Sequence, residues 1–289
     1  MKLTQLQYFV TVCRYGSIAR AVDILHISQP SISAAIRELE HEFGVNLFIR
    51  EGRTLTLTHE GQALFEQAED LLKHAERIER QMMNAGHNRK TLHVGVPPMI
   101  GSLILPQVFS RFCDDTELHL EITEAGHNKL FSELKNTALD LAFLPHDGPV
   151  APELGSAPIQ MLETVFVTSE NNPLAARSSV SFPELRDNRL ILFQSGFFQN
   201  TMITRSFREL GIDPNILTES SQLSTVISVI RSGIADGFLF RNVAEAYSGI
   251  VPISLDPRLQ VQISVCWNRS SYMNTDMLRF IEAVRTIRL

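Results

Sequence analysis

Residues 17–37 of the chain read Ser-Ile-Ala-Arg-Ala-Val-Asp-Ile-Leu-His-Ile-Ser-Gln-Pro-Ser-Ile-Ser-Ala-Ala-Ile-Arg. The spacing predicts two amphipathic helices joined by a very short turn, each opened by a serine. Ser17 is placed to cap the first, because its hydroxyl accepts from amides that lack a partner in the first turn. Ala21, Val22 and Leu25 give that helix an apolar side, and His26 and Ile27 form the connection. Ser28 is placed to cap the second helix, with Pro30 in the first turn, where a missing N–H costs nothing. Ile32, Ile36, Leu39 and Phe43 fall on one helix face, and Gly44 tolerates the left-handed backbone that ends a helix. Gln29, Ser31, Ser33 and Arg37 lie off that stripe. One bracing helix beside one with a free polar face is what a helix-turn-helix needs to read a DNA groove.

Outward from this pair the pattern continues. Leu6, Phe9, Val10 and Cys13 make an apolar stripe, so a third helix packs behind the motif. Leu47, Ile49, Leu55 and Leu57 have strand-like spacing around Glu51-Gly52, which predicts a β-wing with Arg50 and Arg53 near its tip. Arginine there holds phosphate or enters a minor groove. Positions 1–60 carry Lys2 and five arginines against six acidic residues. Binding to DNA then rests on where the arginines sit and on pairing of two heads, not on bulk charge.

The run SIARAVDILHISQPSISAAIRELEHEFGVNLFIREGRTLTLTHEG, Ser17 to Gly61, resembles the LysR-type transcriptional regulators. The match is dense and nearly ungapped, and the rest of the chain agrees in length and order with weaker motifs. The resemblance implies a winged helix-turn-helix, a long dimerising helix, and a two-lobed α/β effector domain like type 2 periplasmic binding proteins. It also implies a homodimer or a homotetramer built as a dimer of dimers. The family's DNA contacts carry over onto Gln29, Pro30, Ser33, Arg50 and Arg53, and onto Ser31 and Arg37. Ala34 and Ala35 depart from the longer polar residues many members place there, which removes two contacts; alanine still touches a thymine methyl.

From Thr58 to about Gly86 there is no proline and no glycine after Gly61. Leu64, Ala68, Leu71, Ala75, Ile78 and Met82 recur at alternating four- and three-residue steps, a heptad seam for a two-stranded coil, antiparallel or parallel. Charged residues such as Glu66, Glu69, Arg77 and Glu79 fill the outer positions. Gly86 to Lys90 reads as a hinge.

Beyond it, strands are expected at 92–96, 118–122, 139–144, 162–168, 189–193, 237–240 and 261–267. Helices are expected through 98–112, 130–134, 226–230 and 280–287. Their alternation argues for an α/β fold on a parallel sheet. The domain expectation is therefore 1–58 winged helix-turn-helix, 59–90 linker helix and hinge, and 91–289 effector domain. Within the last, lobe I takes about 91–162 plus 266–289, and lobe II about 163–265. In open sheets, ligands sit beyond the carboxyl ends of strands, where helix N-termini offer amides. Four segments fall there. Ser102, Asn128, Ser195, Gln222, Ser224 and Thr225 are candidates to hydrogen-bond a small anion. Pro98, Met99, Ile100, Phe197 and Phe198 are candidates to cover its apolar part.

No run approaches 18 apolar residues, so no membrane span is expected, and the N-terminus is not a signal peptide. Cys13, Cys113 and Cys266 are far apart, odd in number and form no C-x-x-C pair, which fits a reduced, cytoplasmic setting. The resemblance implies no peroxide-sensing disulfide, because the family's redox sensors carry their pair in the region after Leu190, where this chain has none nearby. His93 and His119 are candidate neighbours, but two ligands make a poor zinc site, so no metal is expected. No nucleotide, hydrolase or metalloprotease motif appears, so no cofactor and no enzyme is expected. The reading is a regulator that binds double-stranded promoter DNA and a small-molecule effector, a carboxylate among the candidates. The alternative is a solute-binding or small-molecule enzyme module with an N-terminal protein-interaction domain.

Overall fold

A computed structural model describes residues 1–51, 54–86, 90–115 and 117–288 of the chain. It forms two compact units, Met1–Ala85 and Gly86–Leu289.

The first unit runs α1 (Leu3–Tyr15), α2 (Ile18–Leu25), α3 (Gln29–Phe43), β1 (Phe48–Glu51), β2 (Thr54–Leu57) and α4 (His59–Gly86). Ser17 caps α2 as expected, its hydroxyl accepting from the Arg20 amide at 3.4 Å. Ser28 stands at the cap position of α3 but accepts no amide; its hydroxyl instead pairs with the Ser31 hydroxyl at 2.9 Å. The capping expectation for Ser28 is thus corrected. The turn between the helices needs a left-handed residue, and His26 supplies it at φ 53°. Ile32 and Ile36 of α3 pack with Val12 and Ala21, while Leu39 packs with Leu6, Phe9, Val10 and Leu47.

β1 and β2 form the hairpin with Phe48 opposite Leu57. Phe48, not Ile49, is the inward residue of β1. Its ring meets Phe9 edge-on at 5.5 Å, and Ile49 is exposed. The first part of the α4 seam is also used inside the unit. Ala68 is buried and Leu64 half-buried in the Leu6–Phe9–Leu39 core, whereas Leu71 and Ile78 are exposed. Arg14 ties α1 to α4 through Glu69 at 2.9 Å.

The second unit runs β3 (Lys90–Val96), α5 (Pro98–Phe112), β4 (Leu118–Glu124), α6 (His127–Lys135), β5 (Leu141–His146) and β6 (Leu154–Ser169). It continues with β7 (Ser179–Val180), β8 (Leu190–Phe193), α7 (Phe198–Glu209), β9 (Ile216–Ser220) and α8 (Leu223–Arg231). It closes with β10 (Asp236–Phe240), α9 (Arg241–Ala244), β11 (Ile250–Leu255), β12 (Leu259–Asn268) and α10 (Thr275–Arg285). Lys90, expected in a hinge, already belongs to β3; residues 87–89 lie outside the described ones.

The strand order is β4-β3-β5-β12-β6-β10-β8-β9, with β11 on β6 and β7 on β11. The parallel-sheet expectation holds only within the lobes. β3 is parallel to β4 and β5, and β8 is parallel to β9 and β10. Between them β6 and β12 run antiparallel to each other through both lobes. Their ladder shifts register between Ile263 and Ser264, where Pro158 faces Ser264. Proline has no N–H for a ladder, so a bulge is where a central strand tolerates it. The Gln262 amide donates across this point to the Gln160 carbonyl at 3.2 Å.

Gly61, in the first turn of α4, lies against the Leu47 carbonyl. A Cβ there would come within 2.1 Å of that oxygen. Gly61→Ala is therefore expected to destabilise the first unit by about 1–3 kcal/mol. Urea unfolding of the variant and the parent checks this; coincident transitions would contradict the packing described.

Candidate nucleic-acid interface and ligand cleft

In the first unit, the buried face of α3 holds Ile32, Ala35, Ile36 and Leu39. That leaves Gln29, Ser33 and Arg37, one turn apart, as a polar stripe on another face. Gln29, Pro30, Ser31 and Arg37 are exposed and Ser33 is half-buried. Ser33 and Arg37 border a groove of about 210 Å³ with Ile18, Glu40, Phe48 and Leu55, so the stripe runs beside the wing hairpin. Ala35 is buried among core residues, which corrects its place as a groove contact; Ala34 is half-buried. Arg50 lies in β1 opposite Leu55, with its side chain outside the described residues, as is Arg53.

The acidic residues of α3 are engaged locally. Glu38 accepts from the Gln5 amide at 2.6 Å, and Glu40 accepts from the Leu47 N–H at 2.9 Å. Glu42 accepts from the terminal ammonium of Met1 at 2.7 Å. A segment that is neutral in total is thereby sorted in space. Its carboxylates serve α1 and the wing entry, and Glu40, which shares the groove with Ser33 and Arg37, is occupied by the Leu47 N–H.

In the second unit, the four expected segments all sit beyond the carboxyl ends of strands, after β3, β4, β8 and β9. They divide over two neighbouring cavities that share Pro98. The first is apolar and nearly filled. Pro98, Met99 and Ile100 from α5 meet Phe197 and Phe198 at the start of α7. About 20 Å³ of it admits the centre of a water-sized sphere, room for about one water. The second is an open cleft of about 550 Å³ with Ser102, Gln222 and Ser224 on its walls, together with Glu124 and Tyr247. Asn128, Ser195 and Thr225 line neither of these two.

Several of the polar candidates already have partners. The Ser102 hydroxyl donates to the Met99 carbonyl at 2.8 Å, and that of Thr225 to Gln222 Oε1 at 3.4 Å. The Asn128 backbone amide donates to the Gly196 carbonyl at 3.0 Å, joining the two lobes. Arg205 of α7 makes a second inter-lobe link to Asp147.

His127 and His146 are absent from the sequence expectations above. A single histidine carries no spacing signature, and only the fold brings these two together. His127 opens α6 and borders the apolar cavity. Its ring stacks on Phe131 at 6.2 Å and meets Phe198 at 5.8 Å. Its Nδ1 is buried without a hydrogen-bond partner. Burial, reinforced by His146 nearby, holds its pKa below the ordinary histidine value of 6.5. His146 bonds the Ser264 hydroxyl at 2.9 Å, next to the β6–β12 bulge. Phe193, Met202, Phe240 and Val261 complete the apolar wall. Phe240 is held in place by its neighbour Arg241, which donates to Glu163 at 2.7 Å and to the Ser254 hydroxyl at 2.7 Å. That hydrogen bond from Arg241 lowers the Glu163 pKa.

His93 sits in register with Glu121, 3.5 Å from its carboxylate, and His119 with Thr91. No group of three or more metal-ligating residues occurs among the described residues. Cys13 and Cys266 have thiols pushed up to about 12, mainly by burial, while Cys113 is exposed.

Residues 3–62 match the family model described as bacterial regulatory helix-turn-helix protein, lysR family, and residues 85–287 match the LysR substrate binding domain. The transcriptional dual regulator GltC of Bacillus subtilis is 30% identical over 240 residues, covering 81% of this chain and 79% of its own. Full-length CbnR in complex with its target DNA superposes with a TM-score of 0.68 at 24% identity, covering 99% of both chains, a likeness of fold. A hydrogen-peroxide-bound OxyR variant from Corynebacterium glutamicum gives a TM-score of 0.59 at 25% identity, covering 98% of this chain and 91% of that one.

The half-buried His127, with its lowered pKa, sets an acid limit on the second unit. A histidine whose folded pKa is depressed takes up its proton on unfolding, so stability falls as pH drops below about 6.5 towards the folded value. Thermal melts at about pH 7.5 and about pH 5.5 should show a smaller acid loss for His127→Phe than for the parent. Equal losses would contradict the neutral-histidine assignment.

Proposed function

The chain belongs to the LysR family of DNA-binding transcriptional regulators, and from that premise we propose how its two units share the work. Gln29 and Ser33 on α3 read base edges in a major groove, with Pro30 and Ser31 at the entry of the helix. Arg37, Arg50 and Arg53 hold phosphates. The polar stripe of α3 beside the wing is the observation that carries this, because another face of the helix is committed to the core and Glu38 and Glu40 to local contacts.

The unit at 1–58 is the winged head, 59–90 the linker helix and hinge, and 91–289 the effector domain with its two lobes. A small molecule enters between the lobes and shifts their arrangement, to the extent that it binds the two arrangements unequally. Self-association pairs two heads through the exposed half of α4, where Leu71 and Ile78 remain uncovered. Two heads on one duplex gain effective concentration, with half-sites spaced by about 34 Å or a multiple. Among the described residues no helix is long and apolar enough to cross a membrane, and we place the protein in the cytoplasm.

Selection from a random duplex library, followed by gel shifts at several salt concentrations, tests the DNA reading. Gln29→Ala is expected to relax preference at one base position, at a cost of about 1–3 kcal/mol. Arg37→Ala is expected to weaken all duplexes alike and to lower the salt slope by about one. The absence of any salt-sensitive shift with the parent protein would reject the proposal.

A further inference from the structure

The chemistry of the small molecule follows from what the cavity between α5 and α7 offers and what it lacks. None of the residues that border it carries a formal charge at neutral pH apart from the titratable His127. An anion moved there would lose its water with no side-chain cation to replace it, which is costly. At the helix starts, Pro97 and Pro98 have no N–H to offer and the Asn128 N–H is already donated to the Gly196 carbonyl. The neighbouring open cleft adds only Glu124, which repels an anion further. A carboxylate is therefore the wrong class for this end of the cleft.

Two polar side chains remain. The Gln199 amide is engaged, donating to the Phe238 carbonyl at 2.6 Å. His127 is not: its Nδ1 is buried and lacks a partner. A buried polar atom left unsatisfied is a standing cost that a ligand atom can remove. Contacts with Phe131, stacked at 6.2 Å, and Phe198, tilted at 5.8 Å, restrict the ring.

We infer that the ligand is uncharged, seats a flat apolar ring against Phe197 and Phe198, and carries a hydroxyl recognised by His127. This rests on the reading of the inter-lobe cleft as the effector site. A hydroxyl suits either tautomer of the imidazole, since it both donates and accepts. The cavity has room for about one water as it stands, so a ring enters only when the α5 and α7 ends part. The Asn128–Gly196 hydrogen bond ties α6 to the start of α7, and the Arg205–Asp147 ion pair ties α7 to the loop after β5, so both link the same two lobes. The ligand thus binds the parted arrangement better than the closed one, which is what a signal requires.

The test uses the full chain and three ring-sized probes: phenol, toluene and benzoate. Saturation-transfer NMR and thermal shifts measure their affinities. Phenol is expected to bind at about millimolar concentration, about fivefold tighter than toluene, with benzoate weaker than both. In His127→Phe the phenol-over-toluene preference falls to about one, and in His127→Asn, which keeps a hydrogen-bonding group, part of it returns. Cooperative melts establish that each variant is folded. If benzoate binds best, if no probe binds the parent, or if the preference survives in His127→Phe, the inference is overturned. Should both variants fail to fold, the ranking of the three probes on the parent still decides. A gel shift of the parent without probe reads the DNA function separately: a shift with the wrong ranking removes the ligand class alone, and no shift removes the regulator reading.

Discussion

The antiparallel pairing of β6 with β12 is the constraint on which the second unit depends. Both strands pass through both lobes, so each lobe is an extension of one shared ribbon. β5 adds to β12 on one side, and β10 and β11 add to β6 on the other. Any movement of one lobe against the other must twist or bend this ribbon, and its ladder is already interrupted at Pro158 and Ser264. A bulge bends a strand and raises its local twist. His146 bonds Ser264 at that point, and Val261 two residues before the register shift forms part of the cavity wall. The wall of the apolar cavity and the interruption of the central ladder therefore lie within two residues of each other.

In the first unit the corresponding economy is of faces. α3 commits one side to Ile32, Ile36 and Leu39 and still presents a polar stripe. Its carboxylates are drawn to Gln5, to the wing amides and to the Met1 ammonium, so a neutral segment can present a surface that is not acidic. α4 is divided in a similar way. Leu64 and Ala68 complete the head, and Leu71 and Ile78 are left for another surface.

The readable parts of the sequence were those where pattern and environment agree. The helix at Pro98–Phe112 has a proline to start it and a continuous apolar face, and the structure matches it from end to end. β6 was legible only in its apolar half from Leu162. The earlier half, Leu154 to Met161, alternates polar residues and contains Pro158, which argues against a central strand unless a bulge is known to be there. β9 was missed because it is an edge strand with exposed side chains. β11 carries Pro252 and was missed for the same reason as early β6. The heptad count was right about the helix but silent on how its residues are shared, because Leu64 has the same identity whether it faces the head or another chain. Of the ligand cleft, the loops beyond strand ends were legible from topology. The division into a filled apolar pocket and an open polar one, and the role of His127, depend on side-chain placement that spacing does not encode.

The placement of sulfur has a consequence for oxidants. With thiols pushed up to about 12 by burial, Cys13 and Cys266 are held in the unreactive thiol form at neutral pH, since the thiolate is the reactive form. Cys113 lies alone at the surface end of α5 with no second sulfur in reach to trap it as a disulfide. Thiol chemistry can thus modify this protein at its rim while leaving the thiols of the first unit and of the sheet untouched. The same asymmetry leaves Cys113 as a ready-made attachment point for a maleimide dye on the otherwise unaltered chain.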